Sequence, residues 1–148
     1  MPRIKLKELE NYRFSYEKLI NIGNINIAGH TGSVEMTDLI QEARYRIMKS
    51  LGLNDLNLGD GMTGGIMADI VINFKGEIFL DDVIFVEMDF AEFEEKGYRI
   101  FYRVLKNGRV TALAETGFVT FSFSEKKTVN VPAAFIEKLN RITEKQKC

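Results

Sequence analysis

Gly23-Asn24-Ile25-Asn26-Ile27-Ala28-Gly29-His30-Thr31-Gly32-Ser33 runs into an amphipathic segment that closes on Ser50-Leu51-Gly52-Leu53. Small residues and turn formers here precede a helix. Apolar positions at Met36, Leu39, Ile40, Ala43, Ile47 and Leu51 keep the three-and-four spacing that gathers them on one helical face. Thr31 and Ser33 are both candidate N-caps. Gly52 suits the left-handed position past the last turn, with Leu53 as its hydrophobic contact. A glycine-containing loop therefore brings backbone N–H groups to a helix N-terminus, a place able to hold an oxyanion.

Upstream, Tyr12, Phe14, Tyr16 and Ile20 alternate with polar neighbours, the pattern of a first strand. Downstream, Asn54 to Gly65 reads as a glycine-rich connection, either a plain surface loop or a gate over a substrate site. Ile66 to Phe123 then reads as strand throughout. Ile66, Ala68, Ile70, Ile72 and Phe74 are expected on one apolar face. Further apolar rows follow at Ile84, Val86, Met88 and Phe90, and at Tyr98, Ile100, Tyr102 and Val104. Asn107-Gly108 predicts a type I′ hairpin, because both residues tolerate positive φ. Pro132 is placed as a first helical residue, with Phe135, Ile136, Leu139 and Ile142 forming a short C-terminal helix. Five antiparallel strands, one long helix and one short one predict an α+β layer over residues 1–148, read as one domain. Phe85, Phe101, Leu105 and Phe121 are expected on the far face of the sheet, where they would favour self-association.

The formal charge of −1 gives no basic face for nucleic acid. A lone cysteine, Cys148, rules out an intrachain disulfide and makes a cytoplasmic location the expectation. No leader is expected at the N-terminus. No apolar run approaches the ~20 residues of a membrane helix, so no membrane partner is expected. One cysteine and one histidine do not make the usual zinc ligand set, and no metal is expected.

The order of these landmarks resembles the hotdog-fold thioesterases of the 4-hydroxybenzoyl-CoA thioesterase type. The most specific part is Asn26-Ile27-Ala28-Gly29-His30, followed by the helix with Gln41-Glu42-Ala43-Arg44 and its end at Leu51-Gly52-Leu53. Gly76 to Asp82 and Val131-Pro132 resemble two further landmarks, and the likeness covers about Tyr12 to Ile142. The resemblance implies a five-stranded antiparallel sheet wrapped around the central helix. It implies a homodimer pairing two sheets edge to edge, often doubled to a tetramer. The substrate would be an acyl-CoA or acyl carrier protein (acyl-ACP) thioester, bound in a cleft at the dimer interface. No cofactor is implied beyond the coenzyme A of the substrate.

Thioester hydrolysis needs a nucleophile or a base for water, and donors for the developing oxyanion. The family's acidic residue falls on Asn26, whose carboxamide is no base but can hydrogen-bond water or a carbonyl. Three readings stay open. In one, Asn26 orients water and substrate while backbone N–H groups at Gly29, Thr31, Gly32 and Ser33 hold the oxyanion. Each such donor is worth about 2.7–4 kcal/mol. A polyketide-associated branch of the family with Asn at this place also uses an Arg on the central helix, which falls on Arg44. In the second reading Glu42 is the base. In the third the protein binds acyl thioesters without hydrolysing them. A hotdog hydratase or dehydratase is a further alternative.

Each residue also has a plainer role. Asn26 suits a turn, Glu42 an ion pair with Arg46, and Arg44 a pair with sheet carboxylates or a second subunit; His30, where the resemblance implies a site His that hydrogen-bonds the loop or the substrate without being the base, suits loop packing. Arg99, Arg103, Lys106 and Arg109 either line a solvated strand face or meet coenzyme A phosphates.

Overall fold

The computed structural model describes residues 2–148. Strand β1 (Phe14–Leu19) leads through a 3-10 turn at Ile22–Asn24 to helix α1 (Ser33–Ser50). Four long strands follow: β2 (Thr63–Phe74), β3 (Val83–Glu94), β4 (Gly97–Lys106) and β5 (Arg109–Ser122). Then come the two-residue β6 (Lys127–Thr128), helix α2 (Ala133–Asn140) and the two-residue β7 (Gln146–Lys147). The sheet order is β2-β5-β4-β3-β1-β7, with β6 on β5. The five long strands are antiparallel as expected. The two short ones are additions, and β7 joins β1 in parallel.

Met36, Leu39, Ile40, Ala43, Ile47 and Met48 of α1 are buried in one core with Ile84, Val86, Met88, Ile100, Tyr102 and Val104. A side chain buried this way contributes about 1.5–3 kcal/mol relative to exposure. This shared burial holds the sheet around the helix. The helix starts one residue from either expected cap. Gly32 is the N-cap and its N–H donates to Glu35 Oε2 at 3.1 Å. Thr31 instead spends its hydroxyl on the Asn24 carbonyl at 2.8 Å. Gly52 has φ 72° past the helix end, and Asn107 and Gly108 have φ of 52° and 73°, as a type I′ turn requires.

The expected apolar row on β2 is broken. The register against β5 shifts between Met67 and Asp69, leaving Ala68 unpaired. A bulge inserts one residue and reverses the alternation. Ile66 therefore shares a face with Asp69 and Val71, while Met67, Ile70, Ile72 and Phe74 face the helix side. Gly64 and Gly65 belong to this strand rather than to the connection before it. A Cβ on Gly64 would run into the Asp55 carbonyl, and one on Gly65 would meet the Tyr98 hydroxyl at 2.6 Å. The connection itself is closed by its own side chains. Asn57 Oδ1 accepts from Gly59 and Gly61 N–H, and Asp60 accepts from Met62 and Thr63 N–H. Pro132 is the N-cap of α2 rather than its first residue.

The far face of the sheet is not the open apolar surface expected. The segment from Ile4 to Leu9 crosses it: the Asn73 side chain on β2 bonds Ile4 O and Leu6 N–H, and Glu8 pairs with Arg103 on β4. Leu113 on β5 lies in register between Asn73 and Arg103 and is buried beneath this strap, and Phe101 is buried too. Ion pairs Arg103–Glu87, Arg99–Glu115 and Arg99–Asp69 fill much of the remainder. Phe85 alone of the four expected residues stays exposed.

Candidate functional site

Asn26 to His30 forms a closed turn. Asn26 N–H donates to the His30 carbonyl and Gly29 N–H to the Asn26 carbonyl, each at 2.9 Å, with Gly29 at φ 84°. Thr31 N–H bonds the Ile78 carbonyl and His30 pairs with Phe79 in an isolated bridge, so the turn is anchored to the segment before β3.

The Asn26 side chain is oriented by this turn. Its Oδ1 accepts from Ala28 N–H at 2.9 Å, which turns Nδ2 toward the Cα of Gly32. Asn26 thus presents a donor, not an acceptor. Of the four backbone groups expected at an oxyanion, Gly29, Thr31 and Gly32 N–H are bonded within the protein. Ser33 N–H remains, among the first-turn donors that a helix leaves without intrahelical partners. Beside it the carboxylate of Glu35 sits on Gly32. Sequence reasoning misses Glu35, although Gly32-x-x-Glu35 has the spacing of a side chain that returns to its own N-cap. His30, Thr31, Gly32, Ser33, Phe74 and Glu77 line a cavity of about 280 Å³ at this helix end. It shares Gly76 and Glu77 with a second of about 480 Å³, walled by Lys75, Lys106 and Arg109.

Glu42 and Arg44 are elsewhere. Arg44 lies twelve residues beyond Gly32, about 18 Å along the helix. Glu42 is held by Lys18 Nζ at 3.1 Å and by the Tyr16 hydroxyl at 3.3 Å, so its partner is on β1 and not Arg46. Arg44 is buried, with Nη2 at 3.1 Å from Asp55 Oδ2 and its guanidinium 5.0 Å from the Phe118 ring centre. Burial alone would lower its pKa, but Tyr102 and Asp55 beside it more than offset this and the net direction is up. Burial pushes the nearby Tyr98 phenol well up, so it stays neutral. The strand cations are mostly ion-paired: Arg99 and Arg103 with far-face carboxylates, Lys106 with Asp82.

Among the described residues no cluster of three or more His, Cys, Asp or Glu could hold a metal ion, and no helix is long and apolar enough to cross a membrane.

No curated protein matches the chain. Solved structures resemble it closely. A 1,4-dihydroxy-2-naphthoyl-CoA thioesterase from Synechocystis superposes with a TM-score of 0.76 at 18% identity, over 86% of this chain and 95% of the other. A gentisyl-coenzyme A thioesterase gives 0.72 at 20% identity, over 84% and 98%. A thioesterase from Thermus thermophilus, complexed with coenzyme A and Zn, gives 0.74 at 17% identity, over 90% and 96%. At such identities the likeness is one of fold, and the fold is the hotdog. Residues 20–139, from the end of β1 into α2, match a family in sequence as well, and by that match the chain belongs to the thioesterase-like superfamily.

Proposed function

We propose that the protein hydrolyses an acyl thioester, carried by coenzyme A or an acyl carrier protein, at the N-terminus of α1. The observation that carries this reading is the meeting at Gly32 of the Asn26 Nδ2 donor and the Glu35 carboxylate, beside the unspent Ser33 N–H. Asn26 Nδ2 and Ser33 N–H stabilise the oxyanion. Glu35 Oε2 is fixed by Gly32 N–H, leaving Oε1 to take a proton from water as it attacks the thioester carbon. The tetrahedral adduct then expels the thiolate, which recovers that proton from Glu35. His30 and Phe74 contact the substrate in the cavity. Lys75 and Arg109 next to it favour a ligand with phosphates, as coenzyme A has.

The working unit is a homodimer joined through β2. β2 ends the sheet; its start is bonded to the preceding connection through Leu58 N–H to the Thr63 carbonyl and Gly65 N–H to the Asp55 carbonyl, but beyond Gly65 no strand lies on its outer edge among the described residues, and Ile70 and Phe74 are exposed on its helix-facing side. The cleft at the helix N-terminus would then be completed by the second subunit.

The test is thiol release from short, long, aromatic and β-keto acyl-CoA substrates by wild type, Asn26→Ala, Asn26→Asp and Glu35→Gln. Loss of the base lowers turnover by about 10²–10⁴ and loss of the Asn26 donor by about 10²–10³. Asn26→Asp, which removes the donor, is expected to be as slow as Asn26→Ala. The absence of an acid at position 26 favours one other reading, a non-hydrolytic acyl-thioester binder. Tight coenzyme A binding with no release from any substrate would establish that instead. Turnover of an enoyl-CoA without thiol release would point to a hydratase.

A further inference from the structure

The connection from Asn54 to Met62 is held in one shape. Asn54 and Asn57 bond each other, N–H to carbonyl, at 3.1 and 3.0 Å, so Asp55 and Leu56 form a tight two-residue turn. Asp55 ties that turn to Arg44 on α1. Asn57 and Asp60 close the rest by accepting from Gly59, Gly61, Met62 and Thr63 N–H. Leu56 and Met62 stand out of this frame, each 67% exposed. A fixed loop that holds out two large apolar side chains is suited to wall a site it does not itself contain.

The same loop limits how two chains can join through β2. Asp55 and Leu58 already bond the outer edge of β2 at Gly65 and Thr63, so a second β2 can pair only along Ile66 to Phe74. A twofold axis across the sheet runs the two strands antiparallel and keeps both long helices on one side. The longest ladder this stretch allows has its axis near Ile70. With the extra residue at Ala68 counted, Asn73 then lies opposite the partner subunit's Ile66. Phe74 reaches the partner subunit's Gly65 and ends against the loop bonded there. Phe74, Gly76 and Glu77 wall the cleft at the N-terminus of α1. On their β5 flank, Lys75 and Arg109 face the neighbouring cavity. The partner subunit's Leu56 and the partner subunit's Met62 arrive on the other flank.

We propose that each cleft is closed at its acyl end by the other chain's connection, the partner subunit's Leu56 and the partner subunit's Met62 forming the wall that limits the acyl group. This rests on the thioester reading and on joining through β2, and it adds the residues that set acyl size. Two experiments test it. In the first, Leu56→Cys and Phe74→Cys are combined with Cys148→Ser and oxidised. Within one chain the two positions lie about a strand length apart, roughly 30 Å, so a disulfide between them joins two chains. A covalent dimer is expected on a non-reducing gel, while each single cysteine variant keeps the mass of one chain. In the second, S-methyl-CoA and S-hexyl-CoA, thioethers that are not hydrolysed, are titrated calorimetrically into wild type and Leu56→Trp/Met62→Trp. The tryptophans are expected to weaken the hexyl probe about tenfold and to leave the methyl probe within about twofold. No covalent dimer, or equal binding of S-hexyl-CoA by both proteins, overturns the proposal. Cross-linking and a size effect without thiol release from any thioester keep this inference and remove the hydrolase reading. Thiol release without them does the reverse.

Discussion

The carboxamide of Asn26 and the carboxylate of Glu35 meet over the Cα of Gly32. A Cβ built there would lie 2.5 Å from Asn26 Nδ2 and 3.0 Å from Glu35 Oε2. Gly32 has an extended backbone, φ −97° and ψ −162°, so contact and not strain demands glycine. Gly32→Ala is therefore expected to push the carboxamide aside and cut thioester turnover about 100-fold. Urea unfolding should register about 1 kcal/mol or less. Unchanged kcat/KM would show that this meeting has no part in catalysis.

The Arg44–Asp55 pair is asymmetric, with side chains 5% and 42% exposed. Asp55→Ala strands a buried guanidinium and is expected to cost about 3 kcal/mol. Arg44→Met leaves a carboxylate that reaches water and puts an apolar chain against Phe118, at a cost of about 1 kcal/mol. Chemical denaturation of the two variants checks the order; the reverse order would show that Asp55 is not what compensates Arg44.

Asp82 accepts from Phe79 N–H at 2.7 Å and from Lys106 Nζ at 2.6 Å. Desolvation raises its pKa, but these two partners more than offset it and the net direction is down. The folded pKa is below the unfolded value of about 3.9. The stabilisation is therefore full above that value and lost as pH falls through the folded pKa. Asp82→Asn should unfold less steeply with acid below about pH 4 than wild type. Superimposable acid-unfolding curves would contradict this.

Ile70 projects from the unpaired edge strand on the helix side and is 37% exposed. Ile70→Lys should leave the fold within about 0.5 kcal/mol of wild type, because the site is open in the single chain. Light scattering should then give the mass of one chain in place of two. An unchanged dimer mass would move the interface away from β2.

Elements that depend on neighbours in sequence are readable without the structure. The α1 stripe, Gly52 and Asn107-Gly108 act over a few residues, and each is where its local chemistry puts it. The β2 row fails because the alternation hides an unpaired residue. Ala68 looks like any small inward residue until β5 defines the register. The strap from Ile4 to Leu9 begins with an alternation, Ile4-Lys5-Leu6-Lys7, yet forms no strand, because one distant side chain, Asn73, does much of its pairing. Of the site residues named from sequence, Asn26 and His30 stand together at the N-terminal end of α1, while Glu42 lies along the helix and is paired with Lys18 on β1. Glu35 is hidden by a glycine N-cap, which offers no side chain to flag the helix start.

The parallel pairing of β7 with β1 bears on the order in which the chain folds. Gln146 N–H reaches the Arg13 carbonyl and Cys148 N–H the Ser15 carbonyl, ladder bonds joining residues almost the whole chain apart. α1 and the β3-β4-β5 meander close over short separations and can assemble early. β1 must wait for β3 on one side and for Gln146–Lys147 on the other. Contacts of such separation form late because a long loop must close before any of them is gained. During synthesis, β1 stays without its outer neighbour until Gln146 and Lys147 have been made, and a nascent chain halted before them would present that edge to other chains.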